Sequence, residues 1–170
     1  MSLFSNYPLF SAFFAIIFSQ LVKVPVAYLM KKQTSFALAT STGGMPSSHS
    51  AGVSALITAL TVQHGIASPF VAIAATFGVI VIFDSMGVRR QSGEHGILLN
   101  ELVLEIDTLR KKVVNLSKGA YAYNKEEHVR QLKEYLGHKP IEVFFGILTG
   151  IVIALVIHWS YLQLNIPMGV

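Results

Sequence analysis

Gly43-Gly44-Met45-Pro46-Ser47-Ser48-His49-Ser50 leads without a break into an apolar segment that runs to Val62. How this junction is read decides the fold. The two glycines give a backbone that turns freely, and Pro46 suits the first turn of a helix, where its missing N–H costs nothing. The junction is then a helix N-terminus carrying free amides, two hydroxyls and an imidazole. Free amides at the positive end of a helix dipole form an anion site, most naturally one for phosphate. The same residues also suit a serine-rich cap on a membrane helix, with His49 incidental. The placement of the other polar groups along the chain separates these readings.

With 52% hydrophobic and 13% charged residues, the composition is that of a membrane protein and excludes a soluble domain. About 20 apolar residues cross a hydrocarbon core, and four segments approach that length: 9–30, 46–62, 69–86 and 141–164. The second is the shortest and carries Ser50, Ser54, Thr58 and Thr61, so it is better buried among helices than exposed to lipid. No cleavable signal pattern precedes the first segment. Cysteine is absent, which excludes disulfides and thiolate metal sites. The expected architecture is all-α: a polytopic bundle of four transmembrane helices in one membrane domain, 1–170, with a cytoplasmic helical insertion, 91–137, between the third and fourth.

That insertion, with its flanks about fifty residues long, is too long for a structureless loop. Leu99, Leu102, Ile106, Leu109, Val113 and Leu116 recur three and four apart, an a/d seam that predicts a helix. The stripe fits either the protein's own membrane-facing surface and the lipid interface, or a homodimer through 99–116. A second helix is predicted over 125–136, with Asn124 as N-cap, Glu127 at N3 and Gly137 as its stop. His95, between Gly93 and Gly96, is expected in an exposed loop.

Every Lys and Arg falls in 23–32, in the insertion with its flanks, or at Lys139. With four spans these segments share one side of the membrane. The other side receives 1–8, 63–68 and 165–170, which hold no charged side chain. The positive-inside rule therefore puts the charged side in the cytoplasm and both termini outside, in a cell membrane. The basic excess follows from this loop distribution, and no nucleic-acid partner is implied. On the cytoplasmic side Lys23, Lys31 and Lys32 meet Ser47-Ser48-His49, Asp84, Arg89-Arg90, His138 and Glu142. His64 and His158 lie toward the outer face and His128 on a polar helix, so these three are read as structural.

The converging residues resemble the divergent branch of the type 2 phosphatidic-acid phosphatase / vanadium haloperoxidase superfamily. Its motifs are Lys-x6-Arg-Pro, Pro-Ser-Gly-His and Ser-Arg-x5-His-x3-Asp. Gly44 precedes Pro46-Ser47-Ser48-His49, which is similar to the second motif with Ser48 in place of glycine. The third looks split: Arg89 or Arg90 supplies the arginine, and His138-x3-Glu142 supplies the histidine and its acid. Arg89-x5-His95 has the right spacing but puts Leu99 where the acid should be. The first motif is weakly matched by Lys23 and Lys31, without Arg-Pro.

The resemblance implies a membrane phosphatase acting on a phosphorylated lipid or lipid-like substrate, with the bilayer as its setting. His138 would be the nucleophile, Glu142 would orient its ring, and His49 would protonate the leaving oxygen. Lys23, Lys31, Ser47, Ser48 and Arg89 or Arg90 would hold phosphoryl oxygens. Asp84 is a candidate partner for Lys23, since an ionisable residue inside a membrane is usually paired. This chemistry requires no cofactor and no metal. The alternative is a non-catalytic membrane protein that keeps the phosphate pocket for binding or assembly.

Overall fold

The computed structural model describes residues 5–29, 44–116 and 138–168, with backbone alone at 88–90 and 114–116. Five helices follow in order: α1 (Tyr7–Leu29), α2 (Ser48–His64), α3 (Pro69–Met86), α4 (Val88–Leu116) and α5 (Pro140–Gln163). Lys31, Lys32, His128 and the predicted helix over 125–136 lie outside the described residues.

The apolar segments fold as helices whose ends fall within about two residues of those read from hydropathy. Local chemistry fixes the ends. Pro46 lies outside the helix it was expected to open, because Ser47 takes the cap position and its hydroxyl accepts from the Ser50 N–H at 3.4 Å. Ser68 caps α3 in the same way, accepting from the Phe70 N–H at 3.3 Å, with Pro69 in the first turn. Gly65 ends α2 at φ 80, a conformation that favours glycine.

Among the described residues three stretches can cross a membrane by length and composition: Tyr7–Leu29, Pro69–Val113 and Pro140–Gln163. The 17-residue α2 is not among them. It is instead the inner helix, packed on α1, α3 and α5. Its buried residues are all small: Ser48, Ser50, Ala51, Gly52, Ser54, Ala55 and Ala59. Large side chains such as Phe13, Ile17, Phe77 and Phe144 are exposed, as expected where the surroundings are lipid. The start of α1 is tied to the body of α5, where the Tyr7 hydroxyl donates to the Ala154 carbonyl at 2.9 Å.

The closest packing is between α2 and α5. A Cβ added at Gly146 would lie 2.5 Å from the Ser47 carbonyl oxygen and 2.9 Å from the Ser50 Cβ, and one at Gly150 would strike the Ser54 hydroxyl and the Ala51 carbonyl. Only glycine at both positions lets the helices approach this far. Ser54 donates across the seam to the Ile147 carbonyl at 3.2 Å.

α4 starts earlier than expected, so His95 sits on a helix and not in a loop, although it is exposed as anticipated. The hydrogen-bond ladder continues through the α3–α4 junction: Gly87 N–H reaches the Phe83 carbonyl at 2.8 Å, and Gln91 N–H reaches Gly87 at 3.0 Å. Gly93 and Gly96 each cost about 1 kcal/mol in a helix interior, too little to interrupt a helix of 29 residues. Leu99, Leu102, Ile106, Leu109 and Val113 are all exposed, so among the described residues nothing covers the stripe.

Gly150→Val should lower the thermal unfolding midpoint of the detergent-purified protein by about 4–8 °C, the shift that about 2 kcal/mol of overpacking produces. Ala72→Val, on the exposed face of α3, should leave it unchanged. An unaltered midpoint for the glycine variant would show that the seam tolerates bulk.

Candidate active site

The seam places the start of α5 beside the start of α2. The Ser47 N–H donates to the Glu142 carbonyl at 2.9 Å, and the His138 N–H donates to the Ser85 carbonyl in the last turn of α3, also at 2.9 Å. Three elements are thus pinned by backbone bonds around His138, which is only 1% exposed.

His138 and Glu142 lie one helical turn apart, with Nδ1 of the imidazole 3.1 Å from Oε2 of the carboxylate. The same oxygen accepts the Lys139 N–H at 3.2 Å, so the carboxylate is anchored on the helix end as well as on the ring. An ionised carboxylate only accepts, so Nδ1 carries the proton and Nε2 is left as the basic nitrogen. Nε2 faces Nδ1 of His49 at 3.4 Å. The two rings meet edge-on, with centroids 5.6 Å apart. Glu142, His138 and His49 thus form one continuous chain of polar contacts.

Lys23 is 1% exposed and its charge interacts with that of Glu142. It lies on the inward stripe of α1 formed by Tyr7, Ser11, Ala15, Ser19, Lys23 and Ala27, all buried and each four residues from the next. Gly44, at φ 93, lies against its aliphatic stem: a Cβ there would be 3.8 Å from the lysine Cδ. A side chain would fit in that space, and it is the positive φ that favours glycine here. The charge of Glu142, the acid beside His138, bears on Lys23 from α5. Asp84, expected as the partner, is half-buried next to Ser85 on α3.

Ser47 and Ser48 are buried. The Ser47 hydroxyl accepts from both the Ser50 N–H and the Ser50 hydroxyl, the latter at 3.1 Å, so it holds the helix start together. Arg89 and Arg90 fall in the first turn of α4, four and five residues after Ser85; their side chains, like Lys31, lie outside what is described. His64 and His158 sit near the C-terminal ends of α2 and α5, the ends remote from His138. Reading the sequence for chemistry passed over Ser85, Gly146 and Gly150. The last two were legible as Gly146-Ile147-Leu148-Thr149-Gly150, a small-xxx-small pattern for close helix packing.

Fold and site together define an all-helical membrane protein with two histidines and an acid gathered at one end of a small-residue helix seam. Residues 4–153 match the divergent PAP2 family, and the chain belongs to it. That match includes Lys23, His49, His138 and Glu142. A membrane protein of Bacillus subtilis (strain 168), YuiD, itself described as uncharacterized, is 44% identical over 162 residues, covering 95% of this chain and 100% of the relative. No solved structure matches the chain.

Proposed function

We propose that the protein is a membrane phosphatase that cleaves a phosphate ester or diphosphate of a lipid or lipid-like substrate through a phosphohistidine. The observation that carries this reading is the Glu142–His138–His49 chain, with contacts of 3.1 and 3.4 Å, beside the buried Lys23. A carboxylate on Nδ1 leaves Nε2 nucleophilic and stabilises the ring once it becomes cationic. Nε2 attacks phosphorus, the bond to the leaving oxygen breaks, and His49 gives that oxygen a proton. Water then attacks the phosphohistidine and yields its proton to His49, and the P–N bond breaks to release phosphate. Lys23, Lys31, Ser47, Ser48 and Arg89 or Arg90 hold the phosphoryl oxygens. The scheme uses side chains alone. To admit phosphorus, the His49 ring turns aside from Nε2, where it now rests.

His138→Ala should abolish turnover of a lipid phosphate panel and any acid-labile phosphoenzyme. Glu142→Gln should cost about 10²–10⁴-fold, since it removes charge but keeps position. His49→Ala should slow an alkyl phosphate far more than a nitrophenyl phosphate, whose leaving group departs without a proton. His95→Ala should be nearly silent. A dead His95 variant with an active His138 variant would overturn the assignment of the split motif. Wild type that binds but never releases phosphate would leave a non-catalytic phosphate-binding protein, the reading favoured by the missing Arg-Pro after Lys23.

The same proposal places the chain as one domain, 1–170, crossing a cell membrane four times, with α2 as the short inner crossing and the site on the cytoplasmic side. Because the natural chain lacks cysteine, single cysteines report cleanly. One at Lys112 should be shielded from an impermeant thiol reagent in intact cells, and one at Ser68 should be labelled. The reverse pattern would overturn the orientation.

The exposed stripe on α4 fits a homodimer. Replacing Leu102, Ile106 and Leu109 with Ser should lower the mass measured in detergent by light scattering. A wild-type monomer would remove this part of the proposal.

A further inference from the structure

Ser50 follows His49 on α2 and takes no part in the scheme above, yet it is 0% exposed and bonded to Ser47. The two serines lie one turn apart and both face α5. A Cβ added at Gly146 would fall 3.1 Å from the Ser47 Cβ and 2.9 Å from the Ser50 Cβ. Glu142 is one turn before that glycine, and its carbonyl accepts the Ser47 N–H at 2.9 Å. The pair is therefore attached to the stretch of α5 that carries the acid of His138.

A hydroxyl has one proton to give and two lone pairs with which to accept. Both lone pairs of Ser47 are in use, one by the Ser50 N–H at 3.4 Å and one by the Ser50 hydroxyl at 3.1 Å. Its remaining capacity is to donate. Were the bond between the hydroxyls reversed, the same count would leave the Ser50 proton over instead. Either way the pair holds two protons and satisfies one, and among the described residues no acceptor takes the other. Ser54, one turn further along, gives its proton to the Ser50 carbonyl at 2.6 Å. A donor buried without an acceptor is costly, and an oxygen brought in by a ligand satisfies it.

We infer that Ser50 is a positioning residue for the phosphate site: it holds the Ser47 hydroxyl as a donor, so that the second proton of the pair goes to a phosphoryl oxygen beside His138. The inference rests on the phosphatase reading for the identity of that oxygen. Ser50 acts through Ser47 alone. With alanine at 50, Ser47 keeps its bond to the backbone amide, but its hydroxyl regains a lone pair and rotates, and the phosphoryl oxygen loses a fixed donor.

The test uses the full chain in nanodiscs, with orthovanadate binding followed by calorimetry and hexadecyl phosphate turnover measured on the same samples. Ser47→Gly, a replacement the cap position tolerates, should weaken orthovanadate about 10–100-fold, the loss of one hydrogen bond to a charged group. Ser50→Ala, which suits a helix interior, should weaken it by about threefold or more and leave the unfolding midpoint unchanged. The double variant should bind no more weakly than Ser47→Gly, because Ser50 reaches the ligand only through that hydroxyl. Ser11→Ala, an equally buried hydroxyl near the other end of α1, should not alter binding. Unchanged binding by Ser50→Ala, or losses that multiply in the double variant, would overturn the inference. A loss of binding that tracks a fall in the midpoint would do the same, since it marks a packing role. Wild type that shows the expected binding pattern without turnover would sink the phosphatase reading and keep Ser50 in its role. Turnover with kcat/KM unchanged in Ser50→Ala would do the opposite, and wild type that neither binds nor turns over would remove both.

Discussion

Everything at the site depends on how closely α5 lies against α2. In a bilayer the apolar effect does not draw helices together, because lipid tails are as apolar as leucine; contact must come from packing and hydrogen bonds. Gly146 and Gly150 remove the only atoms that would hold the backbones apart, and Ser47, Ser50, Ala51 and Ser54 offer the matching small surface. Once the backbones are this close, the Ser47 amide reaches the Glu142 carbonyl, and the two histidines face each other as a consequence. The geometry of the polar cluster is set one to three turns away from it, by residues with no chemistry of their own.

Glu142 shows how few residues hold the cluster in place. One of its carboxylate oxygens accepts from both the Lys139 amide and the His138 ring, and its charge also reaches Lys23 from across the bundle. Its own backbone carbonyl holds α2. An apolar residue there loses a helix cap, a ring partner and a counter-charge together, whereas glutamine loses the charge alone. Changes at this position couple α1, α2 and α5, and their effects are not additive with those at His138 or Lys23.

The long apolar helices were legible because hydropathy and capping chemistry agree along the chain: serine before α2 and α3, proline in the first turn of α3 and α5. The convergence of His49, His138 and Glu142 was legible from alternating helix direction and a spacing of four. So was the burial of α2, whose short length and Ser50, Ser54, Thr58 and Thr61 point to a helix packed among others; it packs on three neighbours. The pull of Glu142 on Lys23 was not legible: depth suggested Asp84, and only the packing of α1 against α5 brings the charge of Glu142 to bear. The α4 start was missed because glycines at 93 and 96 resemble a loop when the ladder through Gly87 is not visible.

The bond from the His138 amide to the Ser85 carbonyl has a consequence for the segment between them. It closes the chain on itself, so that the roughly fifty residues between leave and return at one point on the protein. A segment stapled at its base in this way is a cassette. Doubling its length costs only about 0.6 kcal/mol of closure entropy, and the histidine stays where it is. Such a segment can be lengthened or shortened at little cost in stability while the buried residues at its base stay where they are.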